Sequence, residues 1–368
     1  MKPALLDLLV CPACEKALDL RVDVRRGLEV LEGALRCPGC ARDYPVMRGV
    51  PRFVGGEPNP KARRADVDVS ASGASHGAYA SSFGRQWHWF RQVQLDSMSG
   101  GDESARALAA TTGWTDADYS GRLVLDAGVG AGRFAEIAAE KGADVVGVDL
   151  TRAIDAAYQN IGGRPNVHLV QADIFALPFR EGAFDLAYSV GVLHHTPDPA
   201  AAFARVAAVV RRGGALAIYV YARYGPAHRC SDAIRVVTTR LPLTVVRALA
   251  ALAIPAYYLY RVPVLGSLLG IALPISVHPN WRWRWLDTFD WYTPRYQWKF
   301  LYPEVFRWFR ANGFRDVELL DDPIRMRGVK EWEGVVEATS RALPPENGIA
   351  PGGAGARTAA SSLTPVSL

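Results

Sequence analysis

The segment Val124-Leu125-Asp126-Ala127-Gly128-Val129-Gly130-Ala131-Gly132-Arg133-Phe134 leaves this chain few folds to choose from. An apolar run ends at a carboxylate, passes through alternating glycines and resumes with helical spacing. Such glycines let the backbone adopt conformations closed to other residues and approach a ligand closely. A helix starting directly beyond them offers unpaired N–H groups to an anion. Strand, glycine loop and helix in that order open a βαβ unit, with a ligand expected at the strand's carboxyl end.

The alternation continues along the chain. Strands are expected at 122–127, 144–149, 167–171, 184–190 and 215–221, with helices at 134–141, 153–161 and 199–211 between them. A helix at 304–312, stopped by Gly313, and strands at 316–320 and 335–339 would complete the set. This pattern predicts an α/β fold built on a doubly wound, mostly parallel seven-stranded sheet. Composition divides the rest: a cysteine-bearing module at 1–56, a polar linker at 57–80, the α/β domain at 81–340, and a tail at 341–368. The tail is rich in Gly, Ala, Ser, Thr and Pro and is expected to be disordered.

Cys11-Pro-Ala-Cys14 and Cys37-Pro-Gly-Cys40 are paired C-x-x-C knuckles, the spacing of a closed tetrahedral zinc site. A closed thiolate shell leaves no position for substrate, so the zinc is expected to be structural; the competing reading is four unliganded buried thiols. Cys230 stands alone and reads as an ordinary packed residue. Cysteine knuckles and an N-terminus without the pattern of a signal peptide suit a reducing compartment, so a cytoplasmic location is expected. The net charge of +5 is too small for a dedicated nucleic-acid binder.

Residues 241–277 are the most apolar stretch, interrupted by Arg247, Arg261, Pro255, Pro263 and Pro274. These interruptions argue against a transmembrane span and for a buried or interfacial helical pair.

Two resemblances follow from these motifs. The residues around the cysteines, from Leu5-Leu6-Asp7-Leu8-Leu9-Val10 to Tyr44-Pro45-Val46 and Gly49-Val50-Pro51, resemble the small zinc-ribbon proteins that activate tRNA, rRNA and release-factor methyltransferases by binding beside them. That resemblance implies a ribbon bracing its own fused partner domain. The glycine loop departs from the dinucleotide pattern G-x-G-x-x-G, because Arg133 stands where the third glycine would be. Its D-x-G-x-G-x-G form resembles the first motif of class I methyltransferases. With Gly191-Val192-Leu193-His194-His195-Thr196-Pro197 it is similar to the group holding the ubiquinone and menaquinone methyltransferases.

The resemblance implies S-adenosylmethionine as cofactor, with Asp126, Ala127, Gly128, Gly130, Gly132, Arg133 and Phe134 forming the loop that holds its amino-acid end. Asp149 with Leu150 would take the ribose hydroxyls, and Asp173 with Ile174 the adenine. Ser189 and Val190 would lie beneath the sulfonium, and Gln86 and Trp87 of a leading helix would cover it. The bland alternative for Asp149 and Asp173 is a pair of solvated strand-end acids.

His194 and His195 are candidates for a general base, with a structural role as the competing reading. An insertion at 223–302, with Trp281-Arg-Trp-Arg-Trp285 and further aromatics, is expected to form a lid over the methyl acceptor. The acceptor expected is a small or amphipathic molecule: a natural product, sugar, quinone or lipid intermediate. The alternatives are RNA, since alternating Trp and Arg suits stacking on bases, and a noncatalytic scaffold.

Overall fold

The structure is a computed structural model that describes residues 1–54, 80–223, 227–320 and 324–331. The expected linker and tail and the strand expected at 335–339 lie outside the described residues, apart from Ala80.

The ribbon is a four-stranded antiparallel sheet of β1 (Asp19–Arg26), β2 (Glu29–Arg36), β3 (Asp43–Met47) and β4 (Val50–Pro51), paired in chain order. The larger sheet holds β5 (Leu123–Ala127), β6 (Asp144–Asp149), β7 (Val167–Gln171), β8 (Phe184–Val190), β9 (Val210–Val220), β10 (Phe314–Leu319) and β11 (Ile324–Lys330). Its order is β10-β11-β9-β8-β5-β6-β7. β5 to β9 run parallel, while β10 and β11 are antiparallel to their neighbours, giving the mostly parallel seven-stranded sheet that the alternation predicts. β5, β7 and most of β6 and β8 are buried on both faces, which is why they read as continuous apolar runs rather than alternating ones.

Several boundaries differ from the sequence reading by a few residues, and two differences change the topology at the sheet edge and at β9. The helix expected to run to 211 ends at Val209, and the chain enters β9 at once. Gly213 permits this at φ +72°, and Gly214 has no room for a side chain, since a Cβ would stand 2.5 Å from the Asp185 carbonyl oxygen. The seventh strand is β11 at 324–330, because it follows β10 directly as an antiparallel partner.

The helices that position the site are α1 (Ser81–Trp89), α2 (Glu103–Thr112), α3 (Arg133–Glu140), α4 (Ala153–Ile161) and α5 (Pro199–Val209). After β9 come α6 (Ala227–Thr238), α7 (Leu243–Ala251), α8 (Ala253–Tyr260), α9 (Leu265–Ala272) and α10 (Trp281–Tyr292), then α11 (Tyr302–Ala311). The insertion leaves and rejoins the body at one place: Ala222 and Phe300 form a parallel bridge, and the Phe300 N–H donates to the Tyr221 carbonyl at 2.8 Å.

The ribbon is docked on the free edge of β7, which would otherwise present unpaired backbone groups. The Phe53 N–H donates to the Gln171 carbonyl at 2.7 Å, and the Val10 N–H to the Pro178 carbonyl at 2.9 Å. Arg52 donates to Gln171 Oε1 at 2.7 Å and to Asp155 Oδ1 at 2.6 Å. Lys2 donates to the carbonyls of Gly162, Arg164 and Val167, capping the turn between α4 and β7. Leu5, Leu9, Leu35 and Val46 belong to the same apolar core as Val146, Val148 and Val170, so ribbon and sheet share one interior.

Candidate active site

The chain turns from β5 to β6 and β7 on one side, then returns across β5 to β8 on the other. The crevice where that order reverses is where open α/β sheets bind ligands. A cavity of about 410 Å³ occupies it, walled by the carboxyl ends of β5, β6, β7, β8 and β9. That volume is in the range of small-molecule sites.

The glycine loop forms one wall. Gly128, Gly130 and Gly132 all have positive φ, at +101°, +54° and +97°. At Gly128 an added Cβ would lie 2.3 Å from Val192 Cγ2, and at Gly130 it would meet the Trp87 indole at 3.2 Å. Gly132 meets Ile161 at 2.7 Å and starts α3. The loop is thus a cradle kept open by absent side chains.

Of the residues expected to contact a cofactor, Gln86, Trp87, Ala127, Gly128, Gly130, Arg133, Phe134, Asp149, Leu150, Ile174 and Val190 line the cavity. Four others stand just behind its wall. Asp126 is buried under the loop, accepting from Tyr188 Oη at 3.1 Å, and burial pushes its carboxyl up to about 8. Gly132 packs on Ile161, and Ser189 donates to the Ala127 carbonyl at 2.8 Å. Asp173 turns one oxygen onto the Phe175 N–H at 3.0 Å, capping the next turn. Asp149 accepts from the Gly130 N–H at 3.1 Å and from Thr151 N–H and Oγ1 at 2.8 and 2.7 Å. These bonds fix it at the tip of β6, while burial raises its pKa.

Gln86 is 1% exposed and donates to Asp290, yet its Oε1 has no partner. A buried acceptor left open on a cavity wall is costly unless a ligand donor meets it. Arg133 is held by Ser104 Oγ at 3.2 Å and lies 4.4 Å from the Phe134 ring, and burial lowers it to about 10.

The histidine pair divides. His194 is fully buried, its ring 4.0 Å from that of Tyr221, with neither ring nitrogen bonded and no place on the cavity wall. This corrects the candidacy of His194 as a general base and leaves it the competing structural reading. His195 does line the cavity, with Nδ1 2.8 Å from the Tyr296 carbonyl. A carbonyl only accepts, so Nδ1 carries the proton and Nε2 keeps its lone pair. Burial lowers His195 to about 4, so the ring is neutral near pH 7.

Several wall residues carry no recognisable motif. Tyr219 and Tyr221 lie at the end of β9, and α10 contributes Trp283, Leu286, Asp287, Asp290 and Trp291. Asp287 is raised to about 7 by burial and the charge of Asp290, and Asp290 to about 6 by burial. These acids face the cavity from a helix rich in Trp and Arg, and their spacing of three residues on one face was the available signal.

The remaining constellation is the cysteine cluster. Its four Sγ atoms lie within 4.8 Å of one another, with Cys11–Cys40 at 3.6 Å and Cys14–Cys37 at 3.3 Å. The two knuckles repeat one geometry: Cys11 N–H donates to Lys16 and Cys37 N–H to Arg42, each at 2.9 Å, and Glu15 and Ala41 have matching φ of 58° and 57°. Four thiolates so placed fit one tetrahedral ion with Zn–S bonds of about 2.3 Å.

Comparison with known proteins agrees with both halves. Residues 125–218 match the family described as a methyltransferase domain, and residues 2–49 the Trm112p-like proteins. The ubiquinone biosynthesis O-methyltransferase of Paracidovorax citrulli is 37% identical over 108 residues, covering 28% of this chain and 45% of that protein. The malonyl-[acyl-carrier protein] O-methyltransferase of Serratia marcescens is 32% identical over 139 residues, covering 36% of this chain and 53% of that one. The chain spans about half the length of the curated relatives it matches. A solved complex of the Haloferax volcanii Trm112 methyltransferase activator with a methyltransferase aligns over 68% of this chain and 98% of that one, at 12% identity and a TM-score of 0.41. By sequence motif, sheet order and domain match, the chain carries a class I, S-adenosylmethionine-type methyltransferase domain behind an N-terminal Trm112p-like ribbon with four clustered cysteines.

Proposed function

We propose that this protein transfers a methyl group from S-adenosylmethionine to an oxygen, nitrogen or carbon atom of a small or amphipathic acceptor. The observation that carries this reading is the lining of the cavity: a glycine cradle from the loop 128–132 together with aromatic residues of the 223–302 insertion. S-adenosylmethionine supplies an electrophilic methyl on a sulfonium, and much of the catalysis of such a displacement comes from alignment.

The residues that would provide that alignment line the cavity. The loop 128–132 and the open Oε1 of Gln86 would hold the amino-acid end, Asp149 the ribose, and Ile174 with Leu177 the base. His195 Nε2 is one acceptor on the wall suited to orient a hydroxyl, its low pKa limiting it to weak basicity. Asp287 and Asp290, raised to about 7 and about 6, stand on the same wall as stronger proton acceptors. The Trp–Arg run supports packing rather than base stacking. Arg284 lies 3.8 Å from the Tyr257 ring, Trp285 Nε1 donates to the Arg247 carbonyl, and Trp283 stacks on His278. Zinc in the ribbon would hold the knuckles that seat it on β7, and four thiolate ligands suit the reducing cytoplasm.

Incubating the protein with methyl-labelled S-adenosylmethionine and fractionated cell extract tests this. Label should enter the organic-soluble fraction. Label confined to RNA, or transferred to nothing while cofactor binds, would contradict it.

A further inference from the structure

The hairpin of the insertion shows the solvent an unusual surface. α9 has no buried residue, although its sequence is Leu-Gly-Ser-Leu-Leu-Gly-Ile-Ala. Leu252 is 61% exposed, Tyr258 73%, Val264 74% and Leu268 62%; Val245, Leu249, Leu259, Leu265, Ile271 and Leu273 are exposed as well. α9 packs against α8 and α6, and α6 adds exposed Val236 and Val237. Contiguous apolar surface of this extent marks an interaction site.

Charge identifies the occupant. No Asp or Glu occurs between 233 and 286, whereas six arginines do: Arg235, Arg240, Arg247, Arg261, Arg282 and Arg284. Arg240, Arg261 and Arg282 are exposed around the apolar face, with Trp281 beside them. Exposed apolar side chains in one segment with arginines and interfacial aromatics, where the nearest exposed acid, Asp232, is paired with Lys299, complement an anionic lipid surface. A second copy fits less well, because a two-fold interface would set these arginines against themselves. The segment beyond 341 has few large apolar residues with which to cover the patch.

We propose that the hairpin 243–277 seats the protein on the surface of an anionic membrane. Leu243–Tyr260 is also apolar and long enough to span a bilayer, longer than the interruptions in the sequence suggest, since only a turn at Leu252 separates α7 from α8. It lies on the surface rather than across it, because one face is committed to the protein. Val246 and Ala250 are buried against Phe289 and Tyr292 of α10, and Arg247 lies 4.2 Å from the Trp89 ring. The opposite side of α10 lines the cavity, so an amphipathic acceptor leaving the bilayer would have a short path inward, a corollary that rests on the methyl-transfer reading.

The test is co-sedimentation of the full chain with vesicles of phosphatidylcholine alone and of phosphatidylcholine mixed with phosphatidylglycerol, alongside calorimetry with S-adenosylhomocysteine. The protein should sediment with mixed vesicles. Leu252→Glu combined with Leu268→Glu should lower partitioning by about tenfold or more. Arg240→Gln and Arg261→Gln should each lower it about fivefold on mixed vesicles only. Cofactor affinity should be unchanged in all of them, so loss of partitioning is distinguishable from failure of the methyltransferase reading. Absence of sedimentation, indifference to the leucine substitutions, or a dimer that those substitutions dissolve without any vesicle binding would each overturn the proposal.

Discussion

Gly128→Ala is the substitution whose cost the structure states most fully. Gly128 has φ +101°, and the new Cβ would stand 2.3, 2.7 and 2.9 Å from Val192 Cγ2, Cγ1 and Cβ. The backbone conformation alone costs about 1–2 kcal/mol for an L-residue. Forcing a methyl into packed surroundings adds about 1–3 kcal/mol. Together these make about 2–5 kcal/mol, a large part of the roughly 5–15 kcal/mol by which a domain is stable. Both residues line the cavity, so relief by moving Val192 also moves the wall. Denaturant unfolding should show the lost stability, and calorimetric titration with S-adenosylhomocysteine a loss of affinity of about tenfold or more. Adding Val192→Ala removes the 2.3 and 2.7 Å contacts but not the backbone strain, so it should restore part of the stability and no more. An unchanged midpoint and affinity in Gly128→Ala would refute the cradle.

Other predictions concern the ribbon and the buried titratable groups. Cys37→Ser should abolish bound zinc by elemental analysis and lower the melting temperature of the whole unit, because the ribbon shares its core with β6 and β7; unchanged zinc would contradict the four-thiolate site. Asp126 has its folded pKa raised from 3.8 to about 8, so the folded state binds the extra proton and this contribution to stability falls as pH rises from about 4 through 8. Asp126→Asn should therefore gain on wild type between pH 5 and 8 in unfolding experiments; a constant difference would count against it. His195→Ala should lower kcat more than cofactor affinity, and the wild-type profile should show no break near pH 6.5 from this residue, since its pKa is about 4.

Much of the sheet was legible because parallel strands buried on both faces leave apolar runs: 144–149, 167–171 and 184–190 appear at the expected bounds, as does the helix at 153–161. The end of α5 was less so, since an Ala- and Val-rich helix passing straight into a Val-rich strand has no break in pattern at Val209–Val210. In the site, glycine spacing pointed to the loop because absence of a side chain is itself a sequence signal. Tyr219 and Tyr221 gave none, and the three-residue spacing of Asp287 and Asp290 did not by itself mark a site, because tertiary packing brings β9 and α10 to one wall from positions some 70 residues apart. Likewise Arg52 and Lys2 look like ordinary surface cations until the edge of β7 is seen against them.

The central claim is that the crevice between β5 and β8 binds the S-adenosyl group. A crystal structure with S-adenosylhomocysteine measures this directly. Density for the nucleoside should run from the loop 128–130, past Asp149, to Ile174, with its amino-acid end within hydrogen-bonding reach of Gln86 Oε1. A crevice empty at saturating ligand, or one that accepts a nicotinamide dinucleotide in its place, would contradict the account.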